Sequence, residues 1–262
     1  MSVEDLEVAI EAAIRASEII SENYGGYKNL DYKSDIDVVT EVDHKCEEEI
    51  TKILKAGTPE YGIIAEEGTS FPGDKVWIVD PLDGTINFTH SFPIFGPSIG
   101  LCKGDEPLIG VIADPLREEL FYAVKGSGAF VNDLYNKGTP RQIRVSEVRE
   151  MKQAIIACGL PYERQGRYYQ KMGEKLVDLE REIQSVRKLG VAALSMAYIA
   201  AGRLEGYIVS GAHPWDMAAG LIILEEAGGK ITNFQGNRYK LETKEWMATN
   251  GHLHEILVEM YK

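Results

Sequence analysis

Cysteine is scarce in this chain. Cys46, Cys102 and Cys158 are the only three among 262 residues, and they lie far apart. An odd, scattered set is neither a disulfide framework nor a zinc-ligand pattern. Long apolar runs are missing too; none approaches the roughly 20 residues of a membrane-spanning helix. The opening stretch, Met1 to Ile20, carries acids where a secretory signal has a basic region and an unbroken apolar core. Positive charge is in short supply: 28 Lys and Arg face 41 Asp and Glu, a formal net charge of -13. That balance argues against direct nucleic-acid or anionic-membrane binding, which needs a basic face. The acids are spread along the chain, so they do not form a disordered tail. There is no internal repeat, no low-complexity linker, no G-x-x-x-x-G-K-[ST] loop and no H-E-x-x-H helix. The expectation is a soluble, reduced, cytoplasmic protein, long enough to bury a core without disulfides or a structural metal.

What is present is periodic. Val3, Leu6, Ile10, Ala13, Ser17, Ile20 and Tyr24 recur at helical spacing, and Gly25-Gly26 ends the pattern. Thr40 and Asp43 fit a capping box at the head of a second helix near 41–56. Strands are expected at 61–65, 76–79, 95–102, 108–113 and 120–124, with a turn over Pro81 to Thr85 and a short helix behind it. Beyond about 150 the expected order is strand 154–158, helix 165–180, helix 190–201, strand 204–209, helix 215–227, strand 246–249 and a terminal helix. The fold class is therefore α/β (α+β), in layers of helix and sheet. Two sub-domains in one compact unit are expected: a strand-rich 1–150 with two leading helices, and an α/β 151–262, with a soft seam near 145–152.

Four acidic places stand at the ends of apolar runs: Asp43, Glu66-Glu67, Asp80 with Asp83, and Asp216. Strand ends are where α/β proteins set their sites. A carboxylate following Val76-Trp77-Ile78-Val79 has no packing role, and its burial is costly without a cation or several donors. In Asp80-Pro81-Leu82-Asp83-Gly84-Thr85 a tight turn aims two carboxylates and the Leu82 carbonyl at one point, a donor set suited to Mg2+ or Mn2+. Gly84 and Thr85 then offer free backbone N–H groups to a phosphate. Taken singly, the turn also reads as an Asx turn with capping acids, and Asp216 and Asp43 as helix N-terminal acids. Their co-occurrence favours the metal reading. Gly96-Pro97-Ser98-Ile99-Gly100 matches G-x-S-x-G, but its serine lies inside a β-like run rather than at a strand-to-helix elbow. Gly126-Ser127-Gly128 reads as a turn, and most of the five scattered histidines as surface or capping residues.

Four blocks together resemble the inositol monophosphatase family of Mg2+-dependent, lithium-sensitive phosphatases. They are Asp37-Val38-Val39-Thr40-Glu41-Val42-Asp43, Ala65-Glu66-Glu67-Gly68, Trp77 through Phe88, and Pro214-Trp215-Asp216-Met217-Ala218-Ala219-Gly220 with Glu226-Ala227-Gly228-Gly229 behind it. Their order and spacing match, so the resemblance covers nearly the whole chain. It implies the layered sandwich of the inositol monophosphatase and fructose-1,6-bisphosphatase type, usually a homodimer. It implies that Glu66, Asp80 and the Leu82 carbonyl hold one Mg2+, that Asp80, Asp83 and Asp216 hold a second, and that Glu66 faces a weaker third. By the same resemblance a metal-activated water, positioned by Thr85 and Asp43, attacks phosphorus, while the Gly84 and Thr85 N–H groups hold the phosphate. Asp83, Ala192 and Asp216 would contact the substrate. Lys33 falls one residue short of the family's lysine spacing and is left out of the site.

Inositol-specific members carry an acid seven positions before the last metal Asp; here that position is Val209. Arg187 and Lys188 either reach a second phosphate or form a solvated basic pair. The leading expectation is a phosphomonoesterase for inositol-1-phosphate or a related small polyol or sugar phosphate. The rivals are a dual fructose-1,6-bisphosphatase/inositol monophosphatase, a 3'-phosphoadenosine-5'-phosphate or histidinol-phosphate phosphatase, and a regulatory partner of transcription machinery without direct nucleic-acid contact.

Overall fold

The computed structural model describes residues 3–26, 30–32, 38–136, 138–160 and 165–262. Lys33 and Asp37 lie outside the described residues. The chain opens with helix α1 (Val3–Asn23), a short antiparallel pair β1 (Leu30–Tyr32) and β2 (Val38–Thr40), and helix α2 (Glu41–Gly57). Strands β3 (Gly62–Ala65), β4 (Ser70–Phe71) and β5 (Val76–Asp83) lead to the short helix α3 (Thr85–Thr89). A meander follows: β6 (Gly96–Lys103), β7 (Glu106–Asp114), β8 (Glu119–Val124), β9 (Ala129–Asp133) and β10 (Arg141–Ile143). The remainder is β11 (Ile155–Gly159), α4 (Gly166–Glu182), β12 (Ser185–Arg187), α5 (Ala192–Ala200), β13 (Gly206–Ser210), α6 (Pro214–Glu226), β14 (Lys230–Thr232), β15 (Glu245–Thr249) and α7 (His254–Tyr261).

Two sheets carry the fold. One has eight strands in the order β10-β9-β8-β7-β6-β5-β3-β4, the other five in the order β12-β11-β13-β15-β14. Side-chain alternation along a strand decides what each face meets. Ile99, Leu101, Ile109 and Val111 face α1 and α2 and bury Ala9, Ala13, Ala16, Ile50 and Leu54. The other face, with Ile112, Phe121 and Val131, packs on α5 and α6, which in turn pack on Tyr207, Trp246 and Ala248 of the five-stranded sheet. Met172, Leu179, Leu257 and Tyr261 of α4 and α7 close that sheet's far side over Ile156, Ile208 and Met247. The result is five layers: helix, sheet, helix, sheet, helix. Burial explains α5 and α6, where one side shows no polar stripe: α5 is buried at every position because it lies between two sheets.

One expectation needs correction, and several strands were not expected. β5 does not end at Asp80 but runs to Asp83, with an irregular register between Asp80 and Asp83 before Asp83 pairs with Gly96. Pro81 cannot donate to a ladder, and the irregularity absorbs it; the turn expected over Pro81 to Thr85 is confined to Gly84. Strands β4, β10, β12 and β14, of two or three residues, are too short to register as patterns in the sequence, and β9 also goes beyond the expected set. Most of the histidines do lie at the surface or in caps, His213 capping α6 among them; His254 is an exception, 1% exposed, its ring nitrogens each 2.9 Å from the hydroxyls of Thr232 and Thr249.

Candidate active site

Asp43 sits at the third position of α2. The Thr40 N–H donates to its Oδ2 at 2.8 Å, and the Val42 N–H donates to Thr40 Oγ1 at 3.1 Å, so the capping box exists. It does more than cap. The Thr85 hydroxyl lies 2.9 Å from Asp43 Oδ1 and 3.0 Å from the Leu82 carbonyl oxygen. With a single proton the hydroxyl can donate to one of them at a time, which leaves its lone pairs free to accept. Burial pushes the Asp43 carboxyl up, against the lowering pull of its hydrogen bonds from Thr40 and Thr85.

One turn further along α2, Glu47 is 5% exposed and accepts the Glu67 N–H at 2.7 Å and the Thr69 N–H at 3.0 Å. The loop carrying Glu66 is thereby tied to the helix carrying Asp43. Glu47 belongs to none of the four acidic places at the ends of apolar runs. The available signal was its i+4 spacing from Asp43, which places both on one helix face.

Asp80 and Asp83 come from the irregular end of β5. Alternation sets Ile78 against Ala218 of α6, and Asp80 is the next position of that face. The Asp80 carboxylate accepts the Leu82 N–H at 3.0 Å. Burial is the first cause of its shift far above the carboxylate range, and the charged groups that add to it are all carboxylates: Glu66, Asp83 and Asp216. Asp83 accepts the Ala193 N–H at 2.7 Å. Burial and then Asp216 push it up to about 8, opposed by the Ala193 and Ala192 N–H groups. The structure thus turns the amides at the head of α5 onto Asp83, a contact the sequence did not disclose.

Gly84 has φ +93°, and a Cβ there would lie 2.4 Å from Val191 Cγ1, so glycine alone suits this turn between β5 and α3. The turn brings the Gly84 and Thr85 amides beside the acids of β5. Asn87 of α3 holds the segment before α5 by donating to the carbonyls of Ile94 and Leu189 at 2.9 and 2.8 Å.

Asp216 is at the third position of α6, where its Oδ2 accepts the His213 N–H at 2.6 Å. The docking of α6 on the sheet decides where that carboxylate stands. Gly100 and Gly110 are register partners on β6 and β7. A Cβ on Gly110 would lie 2.3 Å from the Ala219 carbonyl, and one on Gly100 2.8 Å from the Ala219 N. Two adjacent glycines let the helix backbone approach the strands directly. The G-x-S-x-G match is therefore a packing device: Ser98 is fully buried and its hydroxyl has no hydrogen-bond partner among the described residues.

Asp83 and Asp216 also line a cavity of about 310 Å³, with Ala192, Lys188, Tyr207 and Val209 among its walls. The site thus brings together Glu66, Asp80, Asp83, Asp216, Thr85 and Asp43, with the Leu82 carbonyl beside the Thr85 hydroxyl. Among the described residues no three His, Cys, Asp or Glu side chains stand close enough together to hold a metal ion as they are; Glu66, Asp83 and Asp216 nevertheless act on Asp80 through their charge. An all-oxygen donor set, with Asp80 and Asp83 buried and Glu66 and Asp216 half-buried, has the chemistry of a hard divalent cation such as Mg2+ or Mn2+. Arg187 and Lys188 part company: Lys188 lines the cavity, while Arg187 donates to Ser185 Oγ and the Val186 carbonyl of its own strand.

Residues 2–261 match the model of the inositol monophosphatase family. The chain is similar to inositol monophosphatase 1 of Solanum lycopersicum, 37% identical over 98% of this chain and 94% of that one. It is 34% identical to a fructose-1,6-bisphosphatase/inositol-1-monophosphatase of Thermotoga maritima, over 97% of this chain and 94% of the relative. Among solved structures, the extragenic suppressor protein suhB of Bartonella henselae superposes with a TM-score of 0.91 at 35% identity, covering 98% of this chain and 97% of that one.

Proposed function

This chain belongs to the inositol monophosphatase family, and from that membership we propose that it is a Mg2+-dependent phosphomonoesterase for inositol-1-phosphate or a related polyol or sugar phosphate. The observation that carries the reading is the clustering of Asp80, Asp83, Glu66 and Asp216 beside a hydroxyl–carboxylate pair and a cavity of about 310 Å³. Glu66, Asp80 and the Leu82 carbonyl would hold one cation, and Asp80, Asp83 and Asp216 a second. Bound there, Mg2+ would offset the phosphate's charge and make a water acidic near neutral pH. The chain's own residues supply the rest. Thr85 accepts a proton from the attacking water while donating its own to Asp43, whose raised proton affinity suits it to share one. The Gly84 and Thr85 N–H groups orient the phosphate, and Ala192 with Asp83 borders the polyol. A homodimer and a cytoplasmic location belong to the same proposal.

A dual sugar-bisphosphatase activity is the second reading. Val209 supports it, because an apolar wall discriminates weakly among hydroxyl patterns, and the Thermotoga maritima relative carries both activities in its name. The test is phosphate release from inositol-1-phosphate and fructose-1,6-bisphosphate in parallel, with and without Mg2+, with Asp80→Asn as control. We expect Mg2+-dependent release that falls at least about 100-fold in the variant. Equal release by Asp80→Asn would remove the carboxylate cluster from the mechanism.

A further inference from the structure

Helix α4 does more than close the far side of the five-stranded sheet. Tyr169, Met172, Leu176 and Leu179 recur at spacings of three and four, so they share one face of the helix. Met172 and Leu179 are buried in the cluster over Ile156 and Ile208, and Leu176 packs against it. Tyr169, the first member of the stripe, takes no part in that cluster: it lines the cavity that Asp83 and Asp216 open onto. Gly159 and Ser210, the last residues of β11 and β13, belong to the same lining. The apolar stripe of α4 thus outruns the sheet, and its leading ring serves the space beyond the carboxyl ends of the strands, where such sheets hold ligands.

One residue earlier, Tyr168 falls into a different hollow, which it shares with Ser210, Gly211 and Glu245. Its hydroxyl donates to the Glu245 carboxylate and lies 2.6 Å from the Ser210 hydroxyl. Ser210 and Glu245 are register partners on β13 and β15, so the head of α4 is fixed to two strands at once. Successive helix residues point about 100° apart. While one tyrosine is tied to the sheet, the next is turned into the cavity.

A half-buried aromatic ring in a substrate cavity suits a partner with an apolar face. Cyclitol and sugar rings have one: their C–H groups, made slightly positive by the neighbouring oxygens, meet the negative face of the aromatic ring. An open-chain polyol has no fixed face to present and loses more conformational freedom in forming one. We infer that Tyr169 is the residue that selects the leaving group, favouring phosphates carried on a ring over those carried on an open chain, and that Tyr168 is its positioning residue. The inference rests on the phosphatase reading above and assigns the two tyrosines no part in holding the cation.

The test compares kcat/KM for inositol-1-phosphate and for glycerol-2-phosphate, an open-chain monophosphate, at saturating Mg2+ in wild type, Tyr169→Ala, Tyr169→Phe and Tyr168→Phe. Tyr169→Ala should lower the cyclic-to-open-chain ratio by about three- to tenfold. The loss should fall on KM for inositol-1-phosphate rather than on kcat, with the apparent Mg2+ affinity in place. Tyr169→Phe retains the ring and should retain the ratio. Tyr168→Phe, which loses the bonds to Ser210 and Glu245, should lower the ratio by a smaller factor. An unchanged ratio in Tyr169→Ala, an equal loss on both substrates, a ratio that falls as far in Tyr169→Phe, or wild-type enzyme that prefers the open chain overturns the selection by Tyr169 and leaves the phosphatase standing. An unchanged ratio in Tyr168→Phe overturns its positioning role. No Mg2+-dependent release from either substrate by wild type overturns the phosphatase reading and the inference together.

Discussion

At the scale of single residues, the candidate site depends on groups that hold other groups. Glu47 touches no substrate, yet its two oxygens accept the Glu67 and Thr69 N–H groups at 2.7 and 3.0 Å and so set the loop that presents Glu66. Glu47→Gln keeps the size, loses the charge and replaces one acceptor by a donor facing an N–H. The expected result is a weaker apparent Mg2+ affinity, by about 10- to 100-fold, with kcat recovered at saturating Mg2+. A Mg2+ titration of phosphate release measures this. A kcat that falls without any change in Mg2+ requirement would give Glu47 a different role. Ala193 acts in the same indirect way, since its N–H at 2.7 Å offsets part of the cost of the buried Asp83 carboxylate.

At the scale of elements, α6 is the piece that must arrive correctly. Its N-terminus carries Asp216, and its backbone rests on Gly100 and Gly110. Gly110→Ala would set a Cβ 2.3 Å from the Ala219 carbonyl, closer than atoms tolerate, so helix and sheet must separate. A stability loss of about 1–3 kcal/mol is expected from such overpacking, together with a lower kcat because Asp216 moves with the helix. Thermal melting and phosphate release on the same preparation check both parts. Loss of stability with full activity would mean that α6 docking does not set the position of Asp216. The head of α5 matters similarly, since Asn87 ties its approach through Leu189 and its first amides receive Asp83.

At the scale of the whole molecule, the carboxylate cluster and the stability of the fold are linked. Asp80 and Asp83 prefer protons in the folded chain because burial and neighbouring acids disfavour their charges. A cation that binds only the folded state stabilises it by mass action. At about 100 times its dissociation constant, Mg2+ should add about 2.7 kcal/mol, which is about 5–10 °C in melting temperature for a chain of this size. A melting temperature unmoved by Mg2+, measured by calorimetry, would argue against a metal centre. A separate acid limb comes from the other end of the molecule. Burial first, and then Lys230, hold His254 down to about 4 from an ordinary 6.5, with Glu255 opposing. Its depressed value means that the unfolded chain binds the proton first. Stability from this group is full above about pH 6.5 and is lost as pH falls towards 4, by about 3 kcal/mol in all. His254→Asn should flatten that limb in urea titrations between pH 7 and 4; an unchanged slope would place the acid sensitivity elsewhere.

Much of this was legible in the amino-acid order alone. Periodicity located α1, because burial of one face imposes a repeat on the sequence, while a capping box marked α2, and composition and Gly/Pro punctuation marked α4, α5, α6 and the main strands. Thr40 and Asp43 announced a helix start through local hydrogen bonding, and the four acidic blocks announced a family through their spacing. Other features were decided only by the tertiary structure. A repeat says which residues share a face, not which element that face will meet, so the two-sided burial of α5 and the glycine seat of α6 could not be read from it. The shortest strands, two or three residues long, owe their existence to neighbouring strands rather than to a pattern of their own. The roles of Glu47 and Ala193 arise from contacts between segments distant in sequence, where chain folding, and not local preference, sets the distance.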